Sequence, residues 1–446
     1  MSVSTEEGLR TALTELRELL VEERRLLRGE EEKAAWLEKE ADPSLIAAVA
    51  LPRDTAEVEG VLEIARRHRL AVYTPQPWGI RPVRRGVIMD LKEMDRIIDI
   101  DSRNLFAVLE PGVTWERLGE ALKGTGMRVT LPACARSPYV LEHAMQRGAV
   151  TSACRFGNRQ ISNFHAYLSD GRFYKSGSHA LPTATVNWRE DGGPNLSRLF
   201  LGSHNAMGIP VRGYLYLYPP VECRRFSVMT FPSLAPALKW VCRAARQEVG
   251  TEVAVLDAPR LAALTGIPAS QVKGGAWTAV IGLDGPAELV EHWRKRLDRM
   301  AREEGGKAAS VQVARSLEEA MDIPWYAGPL TFSFYTTLAR VEEFDAAVSK
   351  SLARKGELAR TVIPIRHGAS AFLRYDLQAE DKVGRRVVLG LLPRLADRGA
   401  FFDSPSGSLA AYIFSKQPRY FELLKQVKGL MDPLGMLNPG VLGEVA

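Results

Sequence analysis

The sequence predicts an α+β protein built of two or more domains. Its 446 residues exceed what one hydrophobic core usually organises. Short apolar runs at 87–91, 97–100 and 105–109 are separated by polar turns, which predicts a compact block of strands leading into a helix at 115–123. From 225 to 415 strands and helices alternate, with a spacing that predicts an antiparallel, ferredoxin-like sheet covered by helices.

The composition is that of a globular protein, with 46% hydrophobic and 25% charged residues. No apolar run reaches the roughly 20 residues that a membrane helix needs, and the first residues lack the pattern of a secretory signal. We therefore expect no membrane span and a cytoplasmic location. The formal net charge is +6, but Lys and Arg are interspersed with Asp and Glu, so we expect no nucleic-acid partner.

Cysteine and histidine spacing gives no metal motif. None of the four cysteines forms a C-x-x-C pair, which argues against an iron–sulfur or zinc site within the chain. The seven histidines are scattered along the sequence. We therefore predict no metal ligands.

The N-terminal residues 4–41 predict a helical arm. Ser4 and Glu7 have the spacing of a capping box, and leucines recur at helical intervals. The arm packs either on its own body or on a partner subunit, and the sequence leaves both open. A strand–helix–strand unit follows over 47–73, with Asp54 or Thr55 as the cap of its helix.

The central block VIMDLKEMDRIIDIDSRNLFAVLEPGV at 87–113 carries a recognisable order of motifs. More pieces follow along the chain: an Asp-Gly hairpin at 170–171, GPNLSRLF at 193–200, a Gly-Ile pair at 208–209 and DPLGMLNPG at 432–440. In this order the pieces resemble the vanillyl-alcohol oxidase / p-cresol methylhydroxylase (PCMH-type) superfamily of FAD-binding oxidoreductases.

The resemblance implies a domain plan. An N-terminal helical arm (1–44) would precede a PCMH-type FAD-binding domain of two α/β subdomains (45–222). A ferredoxin-like cap, or substrate, domain (223–415) would follow. The C-terminal segment (416–446) would return to the FAD-binding domain. The implied cofactor is noncovalent FAD, because the histidine that some members link to the flavin is absent.

Both phosphate-contacting segments depart from the family pattern. The loop at 74–86 has two glycines and three prolines, so its arginines are alternative contacts for a diphosphate. The other interpretation is a rigid loop that no longer binds phosphate. Glu142 and its neighbours stand where paired glycines would be. The resemblance carries over these candidate FAD contacts: Pro75, Gly79, Arg81, Gly148, Gly157, Gly208, Ile209 and Asn438. For Gly208 and Ile209 a packed strand end remains the alternative.

Catalytic candidates come from the cap. In phenol-oxidising relatives a Tyr-Arg pair stabilises a phenolate, but the corresponding segment at 399–404 offers only Phe402 and Asp403, and an aspartate would repel that anion. Polar residues elsewhere in the cap remain, and each of them also fits a structural role. Arg366 and Arg374 are candidates to clamp a carboxylate, and His367 or Tyr375 to act as a base.

Two functional hypotheses follow. The first is an FAD-dependent dehydrogenase or oxidase that takes a hydride from a small organic substrate such as a hydroxy acid or alcohol. The second is a degenerate, flavin-free subunit that serves as scaffold in a redox complex, beside an electron-transfer or paralogous subunit. Loss of the glycines favours the second, whereas retention of the Gly-Ile and Asn-Pro-Gly segments favours the first, which we prefer. We also expect the protein to form an oligomer.

Overall fold

The computed structural model describes residues 6–76, 78–146, 160–183, 193–268, 270, 276–379 and 381–443. Within these ranges it is an α+β protein with three sheets, arranged in order along the chain. The predicted fold class is therefore confirmed. None of the described helices is long and apolar enough to cross a membrane.

The first sheet is mostly parallel and is built near the N-terminus. Its strands are β1 (Leu26–Leu27), β2 (Ile46–Ala50), β3 (Ala71–Tyr73) and β4 (Gly86–Met89). Their order is β1-β2-β4-β3, with β2 and β3 parallel to β4 and β1 antiparallel at the edge. The helices of this part are α1 (Glu6–Leu20), α2 (Glu30–Ala34) and α3 (Thr55–Arg67).

The N-terminal arm packs on its own body. Helix α1 buries Ala12, Leu16 and Leu20 in a core shared with α3 and the first sheet. Helix α3 begins as the sequence predicts, because the Asp54 carboxylate accepts a hydrogen bond of 2.9 Å from the Glu57 amide. Helix α1 of the arm is thus part of the core of the first domain.

The second sheet is antiparallel. Its strands are β5 (Ile97–Asp101), β6 (Phe106–Leu109), β7 (Ile161–Tyr167), β8 (Phe173–Lys175) and β9 (Ile209–Tyr216), in the order β5-β6-β9-β7-β8. Two helices, α4 (Trp115–Leu122) and α5 (Val140–Met145), lie between β6 and β7 in the sequence. The predicted strand block at 87–109 is therefore divided, since β4 pairs with the first sheet and β5 and β6 with the second. The predicted hairpin joins β7 to β8, with Gly171 at φ +87°.

The cap is one antiparallel sheet with helices on both faces. Its strands are β10 (Cys223–Phe231), β11 (Glu252–Asp257), β12 (Trp277–Gly285), β13 (Lys307–Ala308), β14 (Thr331–Thr337), β15 (Glu357–Ile365) and β16 (Ser370–Gln378). Its helices are α6 (Leu234–Arg246), α7 (Ala258–Thr265), α8 (Ala287–Glu303), α9 (Val311–Ala320), α10 (Val341–Leu352) and α11 (Asp381–Asp397). The order β13-β10-β12-β11-β15-β16-β14 places β14 at an edge. Helices α6, α8, α10 and α11 cover one face, and α7 and α9 the other.

The C-terminal segment returns to the first sheet. After α12 (Gly407–Ser415) and α13 (Pro418–Met431) the chain runs beside β3. The Val72 amide donates to the Met436 carbonyl at 2.8 Å, and the Asn438 amide donates to the Val72 carbonyl at 2.9 Å. The tail thereby continues the first sheet beyond β3 and brings 438–443 to the end of that strand.

Candidate functional site

A cavity of about 380 Å³ lies where the first sheet, the tail and the cap meet. This size falls within the roughly 300–1,000 Å³ of ordinary ligand pockets. The cap contributes aromatic side chains to the lining, namely Phe332, Tyr335, Phe372 and Phe402. The opposite side is formed by the loop after β3, by α5 and by the tail at 438–443. Within the described part of the chain no group of three or more His, Cys, Asp and Glu side chains could hold a metal ion.

Asn438 ties three separate segments together at the base of the cavity. Its side-chain oxygen accepts a hydrogen bond of 2.8 Å from the Thr74 amide. Its side-chain nitrogen donates to the Thr74 hydroxyl at 2.9 Å and to the His204 carbonyl at 2.8 Å. Asn438 has φ +41°, a conformation that asparagine tolerates better than most residues. The loop after β3, the tail and the turn before β9 are thus fixed relative to one another.

The N-terminal arm closes one side of the loop. The Ile80 amide donates to the Trp36 carbonyl at 2.8 Å, and the Glu38 amide donates to the Ile80 carbonyl at 3.0 Å. Gly79 has φ +88°, and a Cβ there would lie 2.8 Å from the Glu38 nitrogen. Only glycine fits both constraints. Gly79 is therefore explained by the close approach of the arm.

Glu38 brings a carboxylate to the cavity. One carboxylate oxygen lies 3.6 Å from Nη2 of Arg385. Burial raises the pKa of Glu38, and the charges of Arg385 and Arg81 oppose that increase. The pair is half-buried, so the attraction is worth no more than about 1 kcal/mol.

Trp78 stands between two guanidinium groups. The Arg136 Cζ lies 5.7 Å from the indole centroid and the Arg385 Cζ 6.0 Å from it. Arg385 also donates to the Trp78 carbonyl at 2.7 Å. Among the described residues, Arg136 donates to two acceptors, the Thr331 carbonyl at 3.2 Å and the Ser333 hydroxyl at 3.4 Å. Since a guanidinium has five N–H donors, Arg136 keeps donors for a ligand.

His204 is buried against the cavity in a tight turn. It has φ +53°, and Asn205 after it has φ +61°. Its Nε2 lies 3.1 Å from the carbonyl and 3.2 Å from the hydroxyl of Ser404. Its Nδ1 is buried and has no hydrogen-bond partner among the described residues. Burial lowers the pKa of His204 to about 4; the Ser404 carbonyl opposes the change and Arg136 adds to it.

Helix α5 places a carboxyl and an imidazole beside the same region. Glu142 accepts hydrogen bonds from the Ser137 hydroxyl at 2.6 Å and from the Gln146 amide at 3.2 Å. Both donors are uncharged. Burial raises the pKa of Glu142 to about 7. His143 lines the cavity and packs edge-on against Trp115, with ring centroids 5.9 Å apart. Burial lowers the pKa of His143 to about 4.

The predicted cofactor contacts lie in different parts of the structure. Gly79, Arg81 and Asn438 line the cavity. Pro75 lies in the same loop but is not part of the lining. Gly208 packs at a strand end, where a Cβ would lie 2.7 Å from the Phe200 ring and 3.0 Å from the Tyr167 carbonyl, and Ile209 is fully buried in the first core. Gly148 and Gly157 lie outside the described residues. Their contact with a cofactor stays a prediction.

The four predicted catalytic residues do not reach the cavity lining. Arg366 and His367 form the turn between β15 and β16, where His367 is 55% exposed and lies 3.3 Å from Glu248. Arg374 is fully buried and donates to three carbonyls and a carboxylate. Tyr375 is buried in the core between the cap sheet and helices α6, α8, α10 and α11, where it stacks on Phe332 and Phe334. The described residues bring none of the four to the cavity, and a catalytic role for them stays a prediction.

Several polar and aromatic side chains that line the cavity were not predicted from the sequence. These are Glu38, Trp78, Arg136, His204 and Arg385. Arg136 stands in an ordinary loop, and its acceptors are 195 and 197 residues away in the sequence. His204 directly follows Gly202-Ser203 and lies four residues before the Gly-Ile segment, and this nearness is a signal that the sequence offers.

Comparison with known proteins agrees with this arrangement. The model of the FAD binding domain matches residues 46–176, and that of the C-terminal domain of FAD-linked oxidases matches residues 410–442. The glycolate oxidase subunit GlcD of Bacillus subtilis (strain 168) is 23% identical over 436 residues, covering 89% of each chain. A probable mitochondrial D-lactate dehydrogenase of Danio rerio is 23% identical over 428 residues, covering 89% of this chain and 84% of the relative.

A solved structure shares the whole fold. The crystal structure of p-cresol methylhydroxylase with substrate bound superposes with a TM-score of 0.81, covering 98% of this chain and 97% of that one at 18% identity. This likeness concerns the fold, including the cap.

The residues around the cavity fit FAD. Buried polar atoms without a partner among the described residues include Gln76 Oε1, His143 Nε2 and His204 Nδ1, all on cavity-lining side chains. The guanidinium groups of Arg81 and Arg385 supply the positive charge that a diphosphate needs. The FAD-binding and C-terminal segments meet at this cavity, and the cap covers it. The chain thus contains an FAD binding domain and a C-terminal segment similar to that of FAD-linked oxidases, and its cofactor is FAD.

Proposed function

We propose that the protein is a dehydrogenase or oxidase that takes a hydride from the hydroxyl-bearing carbon of a small organic acid. The observation that carries this proposal is the incompletely paired guanidinium of Arg136 in a cavity that is otherwise rich in aromatic side chains. Bound FAD supplies the hydride acceptor. The protein's part is to bind the acid, to orient it and to exclude water.

Arg136 is suited to binding a carboxylate. A guanidinium can hold both oxygens of a carboxylate with two parallel hydrogen bonds. Phe332, Phe372 and Phe402 lower the local polarity, which strengthens that ion pair. The relatives named glycolate oxidase and D-lactate dehydrogenase act, by their names, on small hydroxy acids, and this supports the same substrate class here.

Arg81 and Arg385 are the residues that would hold the diphosphate of FAD. Both line the cavity on the side of the loop after β3. They replace, as charged side chains, the backbone N–H groups that a glycine-rich loop would offer. Asn438 supports this part indirectly, because it fixes the loop to the tail.

Oxidation of a phenol is the weaker alternative. It has in its favour the shared fold with p-cresol methylhydroxylase. Phe402 and Asp403 both line the cavity, and a carboxylate beside a developing phenolate would destabilise it.

Anaerobic flavin reduction tests the proposal. The purified protein would be saturated with FAD and mixed with glycolate, D-lactate or 4-cresol while the absorption of oxidised flavin is followed. We expect glycolate or D-lactate to bleach the flavin and 4-cresol to leave it oxidised. Bleaching by 4-cresol alone would replace the proposed substrate class with phenols.

The second candidate function is that of a flavin-free scaffold subunit. Glu38 favours it, because its carboxylate already lies beside Arg385 where a diphosphate would need positive charge. The same purified protein decides the matter. If it is colourless and takes up no added FAD, the scaffold function is supported, and a search for its partner subunits follows.

A further inference from the structure

We propose that His204 is the base that accepts the hydroxyl proton of the substrate. The inference rests on the proposed function, since it assumes that a hydroxy acid binds in this cavity. It depends on the geometry of one imidazole ring, whose two nitrogens have different surroundings.

The first nitrogen, Nε2, is held by Ser404. Because a backbone carbonyl can only accept, the 3.1 Å contact to the Ser404 carbonyl requires a hydrogen on Nε2. In the neutral ring the second nitrogen, Nδ1, then carries a lone pair. The described residues provide no donor for that lone pair, although the atom is buried. His204 lines the cavity, and its Nδ1 is a buried proton acceptor that no described residue uses.

The backbone fixes the ring in this position. The His204 carbonyl accepts hydrogen bonds from Asn438 at 2.8 Å and from Gln76 at 3.5 Å. Two consecutive residues with positive φ make the turn tight, and such strained backbone commonly occurs at functional sites. A base must be held within hydrogen-bond reach of the proton that it accepts, and these contacts supply that restraint.

Burial keeps the ring neutral until substrate arrives. With a pKa of about 4, His204 carries no charge near neutral pH. Arg136 contributes to the lowered pKa, so a substrate carboxylate bound to Arg136 would cancel part of that effect and strengthen the base. His143, the other buried imidazole of the cavity, has no carbonyl that fixes its tautomer among the contacts of its ring.

The step balances in atoms and electrons. The substrate O–H bond breaks and its proton goes to Nδ1 of His204. The C–H bond on the same carbon would break, and bound FAD would take its hydrogen with both electrons. The carbon–oxygen bond becomes a carbonyl, so the hydroxy acid is oxidised by two electrons to an oxo acid. The imidazolium formed is stabilised through Nε2 by the Ser404 carbonyl.

The key variant is His204→Gln, because the glutamine amide reaches as far as Nε2 and can still donate to the Ser404 carbonyl while it offers no proton acceptor at the place of Nδ1. The matched control is His68→Gln, on the far side of the first domain, where His68 contacts Glu15. Each FAD-loaded protein would be mixed anaerobically with glycolate and D-lactate, and the rate of flavin reduction measured. We expect His204→Gln to be about 100-fold slower or more at saturating acid, with FAD affinity and melting temperature within the range of the control.

A second readout does not need turnover. Nitrogen NMR of the histidine-labelled protein, assigned by the loss of one signal in His204→Gln, reports which ring nitrogen carries hydrogen. We expect His204 to be neutral, protonated on Nε2 and bare on Nδ1, with a shift of the Nδ1 signal when glycolate is added.

Each outcome decides the role of His204. A His204→Gln rate within about threefold of the wild type overturns it, since general bases are worth far more. If neither acid reduces the flavin of the wild type, the substrate class of the proposed function is wrong. The NMR measurement then tests the role of His204 by itself. A bare Nδ1 that responds to glycolate then still supports His204 as the acceptor, whereas hydrogen on Nδ1 overturns it.

Discussion

Arg374 on β16 of the cap and Arg136 in the loop before α5 both lie beside β14 but are used in opposite ways. All five N–H groups of Arg374 have acceptors, on Ala133, Trp325, Tyr326 and Asp376. Arg136 donates two hydrogen bonds, and its guanidinium lies over the ring of Trp78. A guanidinium saturated by the protein cannot clamp a ligand without first giving up buried hydrogen bonds. The difference teaches that unused donors, more than residue type, mark a binding arginine.

Arg374→Met should have the largest effect of the changes considered. It would leave the Asp376 carboxylate and three buried carbonyls short of partners, so we expect the free energy of unfolding to fall by about 3–5 kcal/mol. Urea denaturation followed by tryptophan fluorescence measures this. Arg136→Met is the matched control, with an expected loss below about 1 kcal/mol. Equal losses of unfolding free energy for the two variants would contradict the difference between Arg374 and Arg136.

Arg136→Met should instead weaken substrate binding. A hydrogen bond to a charged group is worth about 1.5–3 kcal/mol, so we expect the dissociation constant of glycolate or D-lactate to rise about 10- to 100-fold. The concentration dependence of flavin reduction gives this constant. Arg136→Lys keeps the charge but loses the two parallel hydrogen bonds. Its dissociation constant should therefore lie between those of the wild type and Arg136→Met. An unchanged constant for Arg136→Met would place the carboxylate elsewhere.

The same contrast holds for carboxylates and predicts a pH effect. Arg374 and Arg260 keep the pKa of Asp376 below its ordinary value despite burial, whereas Glu142 has only neutral donors and a pKa of about 7. The unfolded chain releases the Glu142 proton at lower pH than the folded protein does, so stability falls as pH rises from the ordinary carboxyl range to about 7. Glu142→Gln should be more stable than the wild type by about 3 kcal/mol near pH 8 and nearly equal to it near pH 4. Melting temperatures across this range test the sign, and a difference that does not change with pH would contradict it.

Arg385 is an intermediate case, since it contacts Glu38 and the Trp78 carbonyl yet still lines the cavity. Glu38→Gln would remove the competing carboxylate and make Arg385 resemble Arg136. We expect FAD to bind about 2- to 5-fold more tightly, an effect that shrinks as salt is added. Fluorescence titration of FAD measures it. Weaker binding would show that Glu38 supports the cofactor rather than competing with it.

Local features of the fold could be predicted because their cause lies within a few residues. The Thr114 hydroxyl accepts from the Arg117 amide and begins α4 as the sequence suggests. The Asp-Gly hairpin forms for the same kind of reason. Strand partners were harder, since nothing near β4 indicates that it pairs with β2 and β3 and not with β5.

The candidate site was predictable only where a motif marked it. Asn438 and Arg81 were found through family resemblance, and both line the cavity. His204 and Ser404 were not, because their contact spans 200 residues, and Arg385 meets Trp78 across 307. Such pairs carry no local signal: each residue would look the same if the other were absent.

The hydrogen bond between Thr74 and Asn438 has a consequence for biosynthesis. It spans 364 residues, and at typical ribosomal speeds that length of chain takes roughly 20–70 s to make. Until then β3 lacks the segment around Leu437 that covers its open side, and the loop after it has no fixed partner. The first domain should therefore hold its cofactor firmly only after the tail around Asn438 has been made and has paired with β3.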